Sequence, residues 1–474
     1  MIADLKPYAE YEDSGLPWLG QVPGHWEVRP AFGAFVPNRE RNHGMKEKTV
    51  LSLSYGRIVI KPAEKLHGLV PESFETYQIV NPGDIVLRTT DLQNDHTSLR
   101  VGLVRDRGII TSAYLALRAT PGVNPEFGFQ FLNVWDTSKA IYGYGSGLRQ
   151  NLDFSHFKRM PVAVPPPDEQ AAIVRFLDWA NGRLERTIRA KRKVIALLNE
   201  QKQAIIHRAV TRGLDPSVPL KPSGIPWLGD IPQHWEVQRL RTLVHSIDQG
   251  VSPLAVGFLA EGESWGVLKS GCVNRGVFRE TEHKQLARGF EIDPEIVVKV
   301  GDVLISRACG SPSLVGSVGR VKSLRYKLIL SDKTFRARFR DHIDVEFMVF
   351  AMNCRYYRHQ VEQAISGAEG MANNLPLSSL RDFSFAIPPA DEAAAIAGDL
   401  ESQTAGLQDT AARLEREIEL LREYRTRLVA DVVTGKLDVR AAALLLPDET
   451  PPDTTEDAAD LGDEVETADE EATA

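Results

Sequence analysis

Two regions of the 474-residue chain carry side chains suited to hydrogen bonding with a nucleic acid. Arg88 to His96 reads R-T-T-D-L-Q-N-D-H after a strand-like run, and Arg88, Thr89, Gln93, Asn94 and His96 offer the donors and acceptors that meet base edges. In the second half lie R-V-K-S-L-R-Y-K from Arg320 to Lys327 and K-T-F-R-A-R-F-R from Lys333 to Arg340, with Asp332 as the sole acid between 320 and 340. Period-two alternation predicts a half-buried strand with Phe335, Ala337 and Phe339 inside. Arg336, Arg338 and Arg340 then form a cationic outer face beside Lys333. A merely solvated face would alternate in the same way. The glycine-rich run Tyr142–Asn151, with Ser146, Arg149 and Gln150, matches Ile365–Asn374, with Asn373. Glycines there would let the backbone approach phosphates, or simply form loops before the last strand. Arg307, ending K-V-G-D-V-L-I-S-R, completes the candidate set.

Signatures of catalysis are missing. The Pro-Pro runs V-P-P-P and I-P-P-A lack the amide of a base-methylating loop, and no G-x-x-x-x-G-K-[ST] phosphate loop occurs. Gly143, Gly145 and Gly147 have the wrong spacing for a dinucleotide turn. The histidines include no H-x-x-x-H pair. Cys272, Cys309 and Cys354 form no C-x-x-C and read as core thiols of a reducing compartment. Asp84 and Asp302, each after a glycine, read as turn acids. The expectation is a binding protein with no catalytic residues and no metal.

The elements that must position these side chains are written twice. G-L-P-W-L-G-Q-V-P-G-H-W-E-V from Gly15 to Val28 returns as G-I-P-W-L-G-D-I-P-Q-H-W-E-V from Gly224 to Val237, an offset of 209. The Gly-Asp turns at Gly83 and Gly301 are 218 apart, and V-P-P-P-D-E-Q-A-A-I returns as I-P-P-A-D-E-A-A-A-I at an offset of 223. Each copy thus has fixed ends and a variable middle. Two copies are too few for a solenoid, so the repeat predicts two similar domains related by approximate two-fold symmetry.

After each Pro-Pro an acidic pair opens a long proline-free segment, as at a helix start. Ile173, Leu177, Ala180, Leu184, Val194, Leu198 and Ile205 recur at three- and four-residue spacing in the first segment. Ile396, Leu400, Leu407, Leu414, Leu421 and Leu428 do so in the second, the last four on a strict heptad. That pattern is a coiled-coil seam. The expected seam residues are Leu177, Leu184, Leu198 and Ile205 facing Leu400, Leu407, Leu414, Leu421 and Leu428. Residues 175–212 hold ten bases and three acids, and 398–435 hold eight acids and five bases. Opposite charge favours pairing these helices with each other. Because they end the two copies, they should run antiparallel.

The size predicts about three units of roughly 150 residues. The net charge is −8, yet residues 441–474 contain twelve acids and no base. Without them residues 1–440 carry +4, so the acidity says little about the folded part. That tail should be disordered. No stretch approaches the ~20 apolar residues that cross a bilayer, and the start lacks a basic, then apolar leader, so a cytoplasmic protein without membrane contact is expected.

The P-W-L-G-x-[VI]-P-x-H-W-E-V motif at Pro17–Val28 and Pro226–Val237, the P-P-x-D-E-x-A-A-I start of each helix and the duplication together resemble the DNA specificity subunits of type I restriction-modification systems. The resemblance covers about residues 15–440. It implies an α+β fold in which two similar α/β target-recognition domains, 15–165 and 224–388, alternate with spacer helices, 166–213 and 389–440, paired as an antiparallel coiled coil, followed by the acidic tail 441–474. It implies that each domain reads half of a split, asymmetric site in double-stranded DNA. It also implies docking of two modification (methyltransferase) subunits beside the helices and addition of restriction (motor-nuclease) subunits. S-adenosylmethionine, ATP and magnesium would belong to those partners, with no cofactor on this chain. A coiled-coil adaptor that binds proteins without reading DNA is the alternative the residues leave open.

Overall fold

Each Pro-Pro run delivers the chain into a long helix, Pro167–Arg212 and Ala390–Val433. Proline is accommodated at a first turn, whose amide needs no intrahelical acceptor, and the acids Asp168, Glu169, Asp391 and Glu392 sit where the helix dipole favours negative charge. The computed structural model describes residues 5–62, 73–95, 98–145, 150–274, 276–365 and 373–447. His96, Ser146, Arg149 and the tail beyond Pro447 lie outside the described residues.

The chain divides into two compact units rather than three. Among the described residues, one holds those up to Lys191 and those from Arg416 to Pro447; the other holds Arg192 to Glu415. The long helices form no third body because each unit takes the first half of one helix and the second half of the other. In the first unit Ile173, Phe176, Leu177 and Ala180 share a core with Leu428, Val429, Val432 and Val433. In the second, Ile206, Ala209 and Val210 share a core with Ala393, Ile396, Ala397 and Leu400. In both cases the start of one helix meets the end of the other, so the pairing is antiparallel. Two crossing ion pairs in the first unit fix the register: Lys191 with Glu417, and Arg425 with Glu185 at 3.0 Å.

Leu177, Leu184, Leu400 and Leu428 are buried, whereas Leu198, Ile205, Leu407, Leu414 and Leu421 are half-buried. Leu177, Leu400 and Leu428 lie in cores shared with a globular domain, and Ile205 packs against one. Val194, from the same stripe, is exposed.

The first globular domain is built on an antiparallel sheet in the order Phe35–Pro37, Leu115–Ala119, Ile85–Leu87, Val101–Leu103. Helix Pro125–Thr137 buries Phe127, Phe131 and Leu132, and its amide at Phe127 is capped by the Asn124 side chain. The second domain repeats this with Val303–Ser306 between Thr334–Phe339 and Val318–Arg320, and with a helix at Val345–Ala351 capped by Asp344 through the Phe347 amide. Its variable middle adds a second sheet, in the order Ala255–Val256, His283–Leu286, Trp265–Leu268, Lys327–Ile329.

The H-W motif and the helix-starting glutamate form one clamp, present in each unit. Glu169, only 4% exposed, accepts from the Trp26 indole at 2.9 Å and the Tyr8 hydroxyl at 2.6 Å, and meets His25 Nε2 at 2.7 Å. Glu392 meets the Trp235 indole at 3.1 Å and His234 at 2.6 Å. The opposite helix ends against the same indole. Gly435 closes the second helix at φ 75°, and a Cβ there would lie 2.3 Å from Pro23 and 3.1 Å from Trp26. Gly213 ends the first at φ 72°, where a Cβ would lie 3.1 Å from Glu392 and 3.5 Å from Trp235. Each tryptophan therefore locks a domain to the start of one helix and the end of the other. In the second unit the chain runs on covalently from that helix end to strand Leu220–Pro222. In the first, Lys6 instead bridges Asp438 through the backbone, with the Asp438 amide 2.8 Å from the Lys6 carbonyl.

The Gly-Asp turns carry a second repeated pair. Gly83 and Gly301 have φ of 90° and 96°. Asp84 accepts from Arg118 at 2.9 and 3.1 Å, and Asp302 from Arg336 at 3.2 Å. Both acids also cap their own turns, through the amides of Asn81 and Lys299. Arg118 and Arg336 stand at the same 218-residue offset as the turns.

Replacing Glu169 by alanine strands two buried donors, at about 1–3 kcal/mol each, and should lower stability in urea unfolding by about 2–4 kcal/mol. The more exposed Glu392 should cost clearly less when replaced. Equal and negligible losses at both would contradict the clamp.

Candidate nucleic-acid interface

In the first domain the two candidate loops meet at the end of strand Ile85–Leu87. Leu152 donates its amide to the Thr89 carbonyl at 2.8 Å, and the Asp91 amide donates to the Asn151 side chain at 3.1 Å. Gln150 reaches back to the carbonyls of Tyr142 and Tyr144, which closes the glycine-rich loop on itself. Gln93 and Asn94 are exposed at the tip, where Asn94 donates to Asp91 at 2.7 Å, and Asp91 itself sits at φ 60°. Arg88 is half-buried and pairs with Asp95 at 3.4 Å. Thr89 does not belong to the outward set: it is buried, and its hydroxyl donates to the Ala113 carbonyl.

A residue absent from the candidate set organises this site. Arg100 is fully buried, and its guanidinium donates to the carbonyls of Arg88, Thr90, Asp91 and Asp95 while lying 5.6 Å from the centre of the Tyr142 ring. The Tyr142 hydroxyl in turn donates to the Asp95 carbonyl at 3.0 Å. One cation therefore wraps the recognition loop around itself and ties it to the glycine-rich loop. A planar fork with five donors suits that task, which a lysine could not perform. Nothing in its neighbours, L-R-V-G-L, distinguishes Arg100 from a surface arginine. Beneath it, Asp136 is shifted upward by burial, against the hydrogen bond it accepts from the Arg100 amide at 2.6 Å.

The second domain brings Arg307, Lys333 and Asn373 to the equivalent strand end. Leu375 donates to the Arg307 carbonyl at 2.8 Å, in the same place as the Leu152 to Thr89 bond of the first domain. The Arg307 amide donates to Lys333, its guanidinium to Asp332, and the Asn373 side chain to Gly310. Lys333 is exposed.

The expected cationic face of strand Thr334–Phe339 does not form. Arg336 is 1% exposed, and its guanidinium is spent on Asp248, Asp302 and the carbonyls of Val297 and Glu295. Arg338 binds Asp248 at 2.8 Å and Glu295 at 3.7 Å. Burial raises the Asp248 carboxyl, but hydrogen bonds from Arg338, Ser246 and Arg336 outweigh it and hold the group below the usual range. Arg340 is exposed, at the opposite end of the strand from Lys333. The run from Arg320 to Lys327 is likewise neutralised within its own unit: Arg320 pairs with Glu346, Lys322 with Glu401 at 2.8 Å, Arg325 with Glu280 and Lys327 with Glu263.

Among the described residues no group of His, Cys, Asp and Glu is arranged to hold a metal ion, and no helix is long and apolar enough to cross a membrane. Burial pushes the thiols of Cys272 and Cys354 up to about 12, which leaves them protonated and unreactive.

No protein-family profile matches the chain. It is 24% identical over 368 residues to the specificity subunit of type I restriction enzyme MjaVIII from Methanocaldococcus jannaschii, covering 76% of this chain and 81% of the relative. It is 27% identical over 199 residues to the EcoEI specificity subunit of Escherichia coli, a match that spans 42% of this chain and only a third of that protein. In structure, a chain of a solved type I R-M system superposes with a TM-score of 0.58 at 16% identity, covering 88% of this chain and 99% of its own length. In sequence the chain is similar to specificity subunits of type I restriction enzymes, and in fold to a chain of a solved type I R-M system.

Proposed function

We propose that this chain is the DNA-reading specificity subunit of a type I restriction-modification assembly and carries no catalytic centre itself. The observation that carries the reading is a repeated construction. In each domain the loop after the central strand is hydrogen-bonded to the start of the last structural segment, at Leu152 and at Leu375, and polar side chains stand beside that junction. Two such sites on one chain fit one half of a bipartite, asymmetric target each. Gln93 and Asn94 in the first domain have the amide chemistry that pairs with adenine, and Lys333 in the second suits phosphate or guanine.

On this reading the paired helices set the unread gap between half-sites, and two modification subunits and the restriction subunits assemble around them. S-adenosylmethionine, ATP and magnesium are assigned to those partners. The relatives named above as specificity subunits support the assignment, and the exposed amides and lysine support the mode of readout.

In the complex with modification subunits, Lys333→Ala should weaken binding to all sequences alike and lower the slope of log K against log salt by about one. Gln93→Ala should relax a single base position at a cost of about 1–3 kcal/mol. Titrations at several salt concentrations, with matched and mismatched duplexes, separate the two; no effect of either variant would overturn the placement of the readers.

Removing one heptad from each helix, about 10 Å at 1.5 Å per residue, should shorten the gap between half-sites by roughly three base pairs at 3.4 Å each. Each half-site should persist. Genome-wide mapping of methylated positions reads this directly, and an unaltered gap would refute the ruler.

A further inference from the structure

The acidic run beyond Pro447 has no part in the reading above, yet the structure shows where it begins. Leu446 and Pro447 are held against the first long helix, where the Arg175 guanidinium donates to their carbonyls at 2.8 and 3.3 Å. From Arg175 the same helix face continues through Trp179, Arg183 and Arg186, at spacings of four, four and three residues. Arg183 and Arg186 are exposed, and the Arg183 guanidinium lies 5.7 Å from the centre of the Trp179 ring. A cation stacked on an aromatic face stays accessible to an anion along its edge. Of the acids of this stretch, Glu185 pairs with Arg425 in the seam, and the Asp178 carboxyl is shifted upward by burial, partly offset by Arg105.

Immediately after Pro447 come Asp448 and Glu449, then Asp453, Glu456 and Asp457, within a run of twelve acids and no base. Arg175 to Arg186 spans about 16 Å of helix. Nine residues of extended chain, from Pro447 to Glu456, reach about 30 Å. The carboxylates thus start at the first cation of the stripe and have the length to cover the rest.

We infer that the stripe Arg175–Trp179–Arg183–Arg186 is a polyanion-binding surface whose resident ligand is the chain's own segment after Pro447. Bound there, the segment screens the helix from other polyanions. The contact is intramolecular and therefore governed by an effective concentration in the millimolar range. It weakens with salt, as any pairing of exposed charges does. The inference is independent of sequence-specific DNA reading.

The test measures binding of a labelled heparin oligosaccharide at about 50 mM salt, with six forms of the protein. These are the full chain, a chain ending at Pro447, a full-length chain with Asp448, Glu449, Asp453, Glu456 and Asp457 changed to their amides, and each of these with Arg183→Gln and Arg186→Gln added. The shortened and neutralised chains should both bind heparin about fivefold or more tightly than the full chain. The paired glutamine changes should abolish that gain while scarcely affecting the full chain, where the stripe is already covered. Equal affinity of the full and shortened chains would overturn the proposal. A gain that persists in the glutamine background would also overturn it, because the acids would then act by general repulsion and not by docking.

Discussion

The arrangement depends on a carboxylate at the first turn of each long helix, held by an indole. Glu169 and Glu392 occupy the position where the helix dipole favours negative charge, and Trp26 and Trp235 donate to them from the globular domains. Because the glycine that ends the opposite helix rests on the same indole, one contact fixes three segments far apart in sequence. The antiparallel pairing within each unit and the position of each domain on its helix ends follow from that junction. The first unit strengthens it with Tyr8, Arg440 and Asp438: Arg440 stacks on the Tyr8 ring at 5.2 Å and donates to Asp438 at 2.7 Å. There the chain lacks the covalent link that the second unit has.

With the ends fixed, the middle of each copy is free to vary, and the recognition loops draw rigidity from inside rather than from the frame. In the first domain that rigidity comes from a buried guanidinium bonded to four loop carbonyls. In the second it comes from the Asn373–Asn374 pairing with Ala308–Cys309 and the Arg307 bonds to the Asp332 loop. A loop that keeps one conformation can present amides to base edges without a large ordering cost on binding.

Much of this was legible in the sequence, for identifiable reasons. The duplicated motif is legible because its tryptophan and histidine each have a contact in the clamp, and the heptads because a seam demands periodicity. The turn acids Asp84 and Asp302 were readable from their glycines. The charged side chains were not legible, because a cation's role depends on acids distant in the chain. Arg336 alternates like a surface residue, yet Asp248 and Asp302 draw it inside; Lys322 is claimed by Glu401 on a helix that follows much later. Arg100 is not legible because its partners are backbone carbonyls, which leave no mark on composition. The same chemistry removed Thr89 from the outward set.

The most direct test of the account is a charge exchange across the helix pair. Lys191→Glu and Glu417→Lys, each alone, place like charges where the structure has an ion pair and should each lower stability. Together they should restore most of the loss, with a coupling of about 0.5–1 kcal/mol that fades as salt is raised. Losses that simply add, with no recovery in the double variant, would contradict antiparallel helices in this register and with them the clamp that sets it.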